Sequence, residues 1–295
     1  METSNEALNN IITNEDRAVL GDISTSGSSN ITPELEETIY RIFEEAHQES
    51  NSSLINPNSE TLLIDDTVSR FSSASWFENV QTKVITLAGV GGIGSHTVFM
   101  LSRLKPRALF IYDPDTVELA NMSGQLYSID DCGSHKVNAI SNMVALYSDY
   151  HSCFAISTRF NSDTEASDIM ICGFDNMDAR KLFFQKWKLH ISQYADKKKC
   201  LFIDGRLNAE EFQIFCIRGD DAYNILRYEK EFLFDDSEIE DTICSYKQTS
   251  FCASMIASFI TNLFVNFCAI EVGIYRDLPF LTYYNAETMY IKTEA

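Results

Sequence analysis

GVGGIGSHTVFMLSRLKPRALFIYD, residues 89–113, decides how this chain folds. The apolar run KVITLAG leads into it and reads as a buried strand. Gly89, Gly91, Gly92 and Gly94 then form a G-x-G-x-x-G turn, Ile93–Arg103 reads as a helix, and RALFIYD as a second strand ending at Asp113. Glycines here let the backbone turn tightly and approach phosphate groups. The helix that follows presents unpaired N–H groups and a partial positive charge to an anion. Asp113 stands 19 residues after Gly94, where a carboxylate can hold ribose hydroxyls. The unit reads as nucleotide-binding and leaves open which nucleotide.

Working outward, strands and helices continue to alternate. His135–Tyr147 reads as a helix, CFAISTRF and DIMICGF as strands, Asp178–Tyr194 as a long helix, and CLFIDGR as a further strand. This order implies an α/β fold, a Rossmann-like, mostly parallel sheet with helices on both faces. EEFQIFCIR alternates as an antiparallel strand does. A helix is expected over 250–270, and PFLTYYNAETMYIKT closes as a hairpin turning near Asn285-Ala286. The C-terminal strands are therefore expected to be antiparallel.

Residues 1–65 differ: they are rich in Ser, Asn, Thr and Glu and read as a flexible polar extension. One amphipathic helix is expected within it over 33–49, capped by Thr32, with Leu35, Ile39, Ile42 and Phe43 as its apolar stripe. The folded domain is expected over 66–295.

The 295 residues carry a formal net charge of −20, which argues against nucleic acid as a partner, since phosphate backbones demand clustered Lys and Arg. The most apolar stretch, Phe251–Ile270, is interrupted by Ser254, Ser258, Thr261, Asn262 and Asn266 and reads as a core helix, so no membrane association is expected. The eight cysteines include no C-x-x-C pair, so no zinc is expected. They read as reduced thiols of a cytoplasmic protein, most of them in the core. The five histidines form no metal-ligand spacing.

After Asp113 the chain runs YDPDTVELANMSGQLYSIDDCGSHK, placing Asp115, Asn121, Gln125 and Lys136 near the carboxyl end of the second strand, where open α/β sheets bind ligands. At this point GVGGIGS, DPDTVELANMSGQ, the G-x-x-K of residues 133–136 and CGFDNMDAR at 172–180 together resemble the ThiF/MoeB superfamily, which includes the ubiquitin-activating enzymes. The later runs IDGRLNAEEFQIF and EIEDTICSYKQTSF resemble its bacterial and phage branch. The resemblance implies a ThiF-type adenylation domain that uses ATP and Mg²⁺. Its implied reaction is adenylation of the C-terminal carboxylate of a small ubiquitin-fold protein or peptide, and a homodimer is implied as well. It assigns the glycine turn to ATP, Asp113 to the ribose, and Asn121 and Gln125 to the family's N-x-x-R-Q run. Lys136 is assigned to the phosphates, Asp175 to Mg²⁺ with Asn176 beside it, and Arg70 to the neighbouring subunit's phosphates.

The match departs at Gly124, where the family carries an arginine; Arg70, Arg206 and Lys247 are the candidates to supply the missing phosphate contact. Cys244, in a polar stretch before a helix and near Lys247, is the candidate thioester nucleophile. Asp175 also sits where it would cap the following helix. Two other classes stay open: a catalytically inactive nucleotide-binding partner subunit, favoured by Gly124, and a nicotinamide-dependent oxidoreductase. The latter leaves N-x-x-x-Q, G-x-x-K and F-D-N without a role.

Overall fold

Strand β1 (Val84–Ala88) is an interior strand, and all five of its residues are buried, on both faces. The computed structural model describes residues 66–234 and 248–295, together with Arg41, which is helical. The rest of the expected helix over 33–49, and both Cys244 and Lys247, lie outside the described residues.

Around β1 run β2 (Ala108–Tyr112), β3 (Cys153–Ile156), β4 (Ile169–Cys172), β5 (Leu201–Asn208), β6 (Glu211–Arg218), β7 (Leu281–Asn285) and β8 (Tyr290–Glu294). They form one eight-stranded sheet in the order β3-β2-β1-β4-β5-β6-β7-β8. The pairings from β3 to β5 are parallel, and those from β5 to β8 are antiparallel. The parallel core and the antiparallel C-terminal strands agree with the sequence. The closing hairpin turns over residues 286–289, beginning at the expected Ala286.

Six α-helices are described: α1 (Phe77–Gln81), α2 (Gly92–Ser102), α3 (Lys136–Ser148), α4 (Met177–Gln193), α5 (Ala222–Glu231) and α6 (Ser250–Glu271). Strand alternation splits the core in two. Ile85, Leu87, Leu109, Ile111, Ile171 and Ile203 point to one face, under Val98, Val137, Ile140, Ile256 and Ile260 of α2, α3 and α6. Phe110, Met170, Phe202 and Phe215 point to the other, under Phe183, Phe184 and Trp187 of α4 and Tyr228 of α5. Trp187 is wholly buried there; truncating so large a core side chain costs about 3–5 kcal/mol.

Helix α6 is long and apolar enough to cross a membrane by length and composition alone. Here it packs on α2, β5 and β6, with Ile256, Ile260, Phe264 and Phe267 buried. Helix α5 was not foreseen. Its signal was Asp221, which caps it by accepting from Asn224 N at 3.0 Å, ahead of the stripe Ile225, Tyr228 and Phe232.

Candidate active site

The strand order reverses at β1 and β4. In open α/β sheets, ligands bind beyond the carboxyl ends of the strands at that point. Two glycine backbones meet there. Gly89 takes φ +86°, and a Cβ on it would stand 2.7 Å from the carbonyl carbon of Gly173. Gly89 N donates to Tyr112 O, and Gly173 N to Ala88 O, each at 2.8 Å, so the ends of β1, β2 and β4 are tied together. Gly94 is needed for another reason: its Cβ would strike Gly89 O and lie 3.3 Å from Leu87 Cδ2, blocking the close approach of α2 to β1.

Val90, at the tip of the turn, is held from both sides. Its N–H donates to Asp113 Oδ2 at 2.8 Å, and its carbonyl accepts from the buried Tyr127 hydroxyl. Asp113 Oδ1 accepts from Asp115 N at 2.9 Å. Burial pushes the Asp113 carboxyl above its ordinary pKa, while the two N–H donors and Lys136 pull the other way. Each of its oxygens keeps a second lone pair, so a hydroxyl donor can still be accepted.

Lys136, the first residue of α3, is buried, and its Nζ pairs with Asp115 Oδ2 at 3.0 Å. The Asp115 side chain is 62% exposed, so the pair opens towards solvent on the carboxylate side. Gln125 is the nearest neighbour of Gly91, with Nε2 3.9 Å from where a Cβ would stand. Its Oε1 is buried without a hydrogen-bond partner among the described residues. A buried amide oxygen beside a glycine turn is a group a ligand donor would satisfy. Asn121 lies in the 3₁₀ turn Leu119–Ser123, where its Oδ1 accepts from Glu118 N at 2.8 Å and closes a capping box.

After β4, Asp175 and Asn176 are exposed. The capping expectation for Asp175 needs correction: Asn176 caps α4, its Oδ1 accepting from Ala179 N at 2.9 Å. Among the described residues, Asn176 Nδ2 lies 3.4 Å from Asp175 Oδ1, and the Asp175 carboxylate does not cap the helix. An exposed carboxylate at this edge is the oxygen donor Mg²⁺ prefers.

Arg206, one of the candidates for the contact missing at Gly124, makes its hydrogen bonds elsewhere. Its Nε pairs with Asp204 Oδ2 at 2.8 Å, and its Nη2 donates to Phe232 O at 2.9 Å and Tyr228 Oη at 3.3 Å. Arg180 pairs with the other oxygen of the fully buried Asp204 and donates to Phe174 O. Burial opposes the charge on Arg180, but Asp204 outweighs it and holds the guanidinium above its ordinary pKa. Both arginines thus neutralise Asp204, and Arg180 also holds the backbone just before Asp175. Arg70 is exposed, and among the described residues no hydrogen bond or ion pair joins it to the glycine turn, Asp113 or Lys136.

One residue that sequence reasoning missed stands in the middle of the site. A Cβ on Gly92 would lie 2.6 Å from Gln248 Cδ, and one on Gly124 would lie 2.8 Å from Gln248 Cγ. The signal was present as two glycines far apart in sequence, but only the fold shows that they flank one side chain. Tertiary structure also gathers Asp168, His190 and Cys200, whose ligand atoms lie within 4.8 Å of one another. They sit at the opposite, amino-terminal edge of β4 and β5, and His190 Nε2 already pairs with Asp168 Oδ1 at 2.7 Å. Six of the seven described cysteines are buried, Cys252 in α6 among them, and Cys132 is exposed.

With this geometry in place, the comparison with known proteins is specific: the model described as ThiF family matches residues 67–207, just under half of the 295-residue chain. Residues 67–207 match the ThiF family as a domain. That domain spans the sheet from before β1 to the end of β5, and so contains the glycine turn, Asp113, Lys136 and Asp175. Curated relatives of the ThiF-family domain include ubiquitin-like modifier-activating enzyme 5 of Drosophila mojavensis, 31% identical over 119 residues. That match covers 40% of this chain and 29% of the relative. The Aedes aegypti enzyme of the same name is 34% identical over 92 residues, covering 31% and 23%. The chain thus matches under a third of the length of these relatives. Among solved structures, PaaA superposes with a TM-score of 0.61 at 16% identity, covering 96% of this chain and 90% of that one. E. coli MccB solved with MccA-N7isoASN gives 0.61 at 14% identity, covering 100% and 89%. At such identities these structures establish a shared fold.

Proposed function

We propose that this protein binds ATP-Mg and adenylates the C-terminal carboxylate of a small ubiquitin-fold protein or a peptide. The observation that carries the reading is the glycine turn at the strand-order reversal, braced by buried Asp113 and faced by Lys136, within a ThiF-family domain. The names of the similar proteins support it: one set are ubiquitin-like modifier-activating enzymes, and MccB has been solved with ATP and with MccA-N7isoASN.

In this reading the N–H groups at the start of α2 and the Lys136 ammonium receive the phosphates. Asp113 accepts from the ribose hydroxyls, and Asn121 and Gln125 line the same edge. Asp175, with Asn176 beside it, holds Mg²⁺, which offsets the negative charge of the phosphates. The substrate carboxylate oxygen attacks the α-phosphorus. The new C–O–P link forms as the bond to the β-phosphate oxygen breaks, and pyrophosphate leaves. Two anions must approach for this to occur, so fixed positive charge at the phosphates lowers the barrier. Cys244 then takes the acyl group as a thioester and releases AMP. The protein works as a cytoplasmic homodimer in which Arg70 reaches the partner's phosphates.

The test is calorimetric titration with ATP-Mg and, separately, with NAD, on the wild type and on Asp175→Ala, followed by pyrophosphate exchange with candidate peptides. Binding of ATP-Mg that weakens about tenfold or more in Asp175→Ala is the expected result. Binding of NAD alone would overturn the adenylating reading. ATP binding without pyrophosphate exchange against any C-terminal peptide would favour the inactive partner subunit, to which Gly124 points.

A further inference from the structure

We propose that Gln248 is a phosphate-contacting residue of the nucleotide site, standing in for the arginine that Gly124 replaces. The proposal rests on the adenylating reading above. It starts from the two glycines that flank the side chain. A Cβ on Gly92 would stand 2.8 Å from Gln248 Nε2, and one on Gly124 would stand 2.9 Å from the same atom. The carboxamide therefore lies between the first turn of α2 and the end of the 3₁₀ turn Leu119–Ser123.

Neither glycine is demanded by its own backbone. Gly124 takes φ −144°, which any residue adopts, and Gly92 is an ordinary helical residue at the start of α2. Glycine in a helix costs about 0.5–1 kcal/mol relative to alanine unless something requires it. Here the requirement is room for one side chain, and both positions meet it. The absent arginine and the presence of Gln248 are thus two sides of one exchange: a side chain at 124 would have to displace the Gln248 side chain from where it stands.

The backbone of Gln248 is fixed on both sides. It forms a parallel bridge with Ala209, the turn residue between β5 and β6, and the next residue, Thr249, caps α6 by accepting from Cys252 N at 3.4 Å. Gln248 thus lies two residues before the first turn of α6 while its side chain touches the first turn of α2. Both helix starts carry partial positive charge, so an anion between them is favoured by two dipoles at once. At the same glycine turn, Gln125 Oε1 is buried without a partner among the described residues; as an acceptor it suits a nucleoside N–H or O–H donor, which leaves the phosphates to Gln248 and the helix start. A carboxamide suits the position. Its oxygen can accept from unpaired N–H groups of α2, and its NH₂ donates to a phosphate oxygen. Of the other candidates for the missing contact, Arg206 is held by Asp204, Arg70 is exposed and bonded to none of the described site residues, and Lys247 lies outside the described residues.

The experiment compares ATP-Mg and adenosine binding to the full-length wild type, Gln248→Ala, Gln248→Glu, Gly124→Arg and the double variant Gly124→Arg/Gln248→Ala, with a melting temperature for each. Gln248→Ala should weaken ATP-Mg about tenfold. The near-isosteric Gln248→Glu should weaken it further, because a carboxylate faces the phosphates; adenosine affinity should stay within about twofold of wild type in both, because adenosine has no phosphate to lose. Gly124→Arg should lower the melting temperature and ATP affinity, and removing Gln248 in the same chain should restore both. Gln248→Ala that binds ATP-Mg as well as or better than wild type would overturn the proposal and make Gln248 a plug. Equal losses for ATP-Mg and adenosine would reduce it to a structural role, and so would failure of the double variant to recover. If the wild type binds no ATP-Mg, the adenylating reading falls and the Gln248 proposal with it. If the wild type binds and only the Gln248 predictions fail, the adenylating reading stands.

Discussion

Asp204 is fully buried and gives one oxygen to Arg180 and the other to Arg206, while Tyr228 donates to it at 2.8 Å. Its sequence neighbours disguise this, because an Asp-Gly-Arg run at a strand's carboxyl end is also what a ligand site looks like. The difference is desolvation. A buried carboxylate with two guanidiniums is satisfied, and removing it strands both charges. Asp204→Ala should therefore lose about 3–5 kcal/mol of stability in urea unfolding. Arg206→Ala should also destabilise, while ATP-Mg affinity stays within about twofold of wild type; a selective loss of ATP affinity without loss of stability would return Arg206 to the site.

At the scale of elements, the start of α4 separates two neighbouring polar residues by function. Asn176 accepts from Ala179 N and caps the helix, whereas Asp175 projects its carboxylate into solvent. Asn176→Ala should cost about 1 kcal/mol of stability. Asp175→Ala should stay within about 0.5 kcal/mol of wild type in the same unfolding measurement, since it removes only a surface group. The elements themselves were legible wherever periodicity was strong. The five parallel strands are short apolar runs, and α2, α3, α4 and α6 follow their expected ranges to within a few residues. Helix α5 escaped because it is only ten residues long, and its fully buried positions are Asn224 and Tyr228, with Ile225 the one aliphatic residue packed beside them.

Across the whole molecule, the parallel half of the sheet builds the glycine-turn edge proposed to take the nucleotide, and the antiparallel half returns the chain to α6 and the C-terminal hairpin. Gln248 reaches the glycine turn from the second half, outside residues 67–207. The proposed homodimer makes one prediction at this scale. Arg70 is exposed, and none of the described site residues bonds to it, as a residue serving a neighbouring subunit requires. Mixing an Arg70→Ala chain with an Asp175→Ala chain should restore part of the pyrophosphate-exchange activity that each lacks alone, because one of the two mixed sites is then complete. No recovery after verified subunit exchange would rule out a role across the interface.

The sequence by itself determined the α/β order, the glycine turn with Asp113 at its proper distance, and the motif set that marks the family. These are local patterns: side-chain periodicity and the freedom of glycine act over a few residues and need no distant partner. Tertiary structure alone decided that Arg206 and Arg180 serve Asp204, that Asn176 rather than Asp175 caps α4, and that Gly92 and Gly124 enclose Gln248. Each of those outcomes turns on which groups are brought together out of water, and that depends on contacts between residues far apart in the chain.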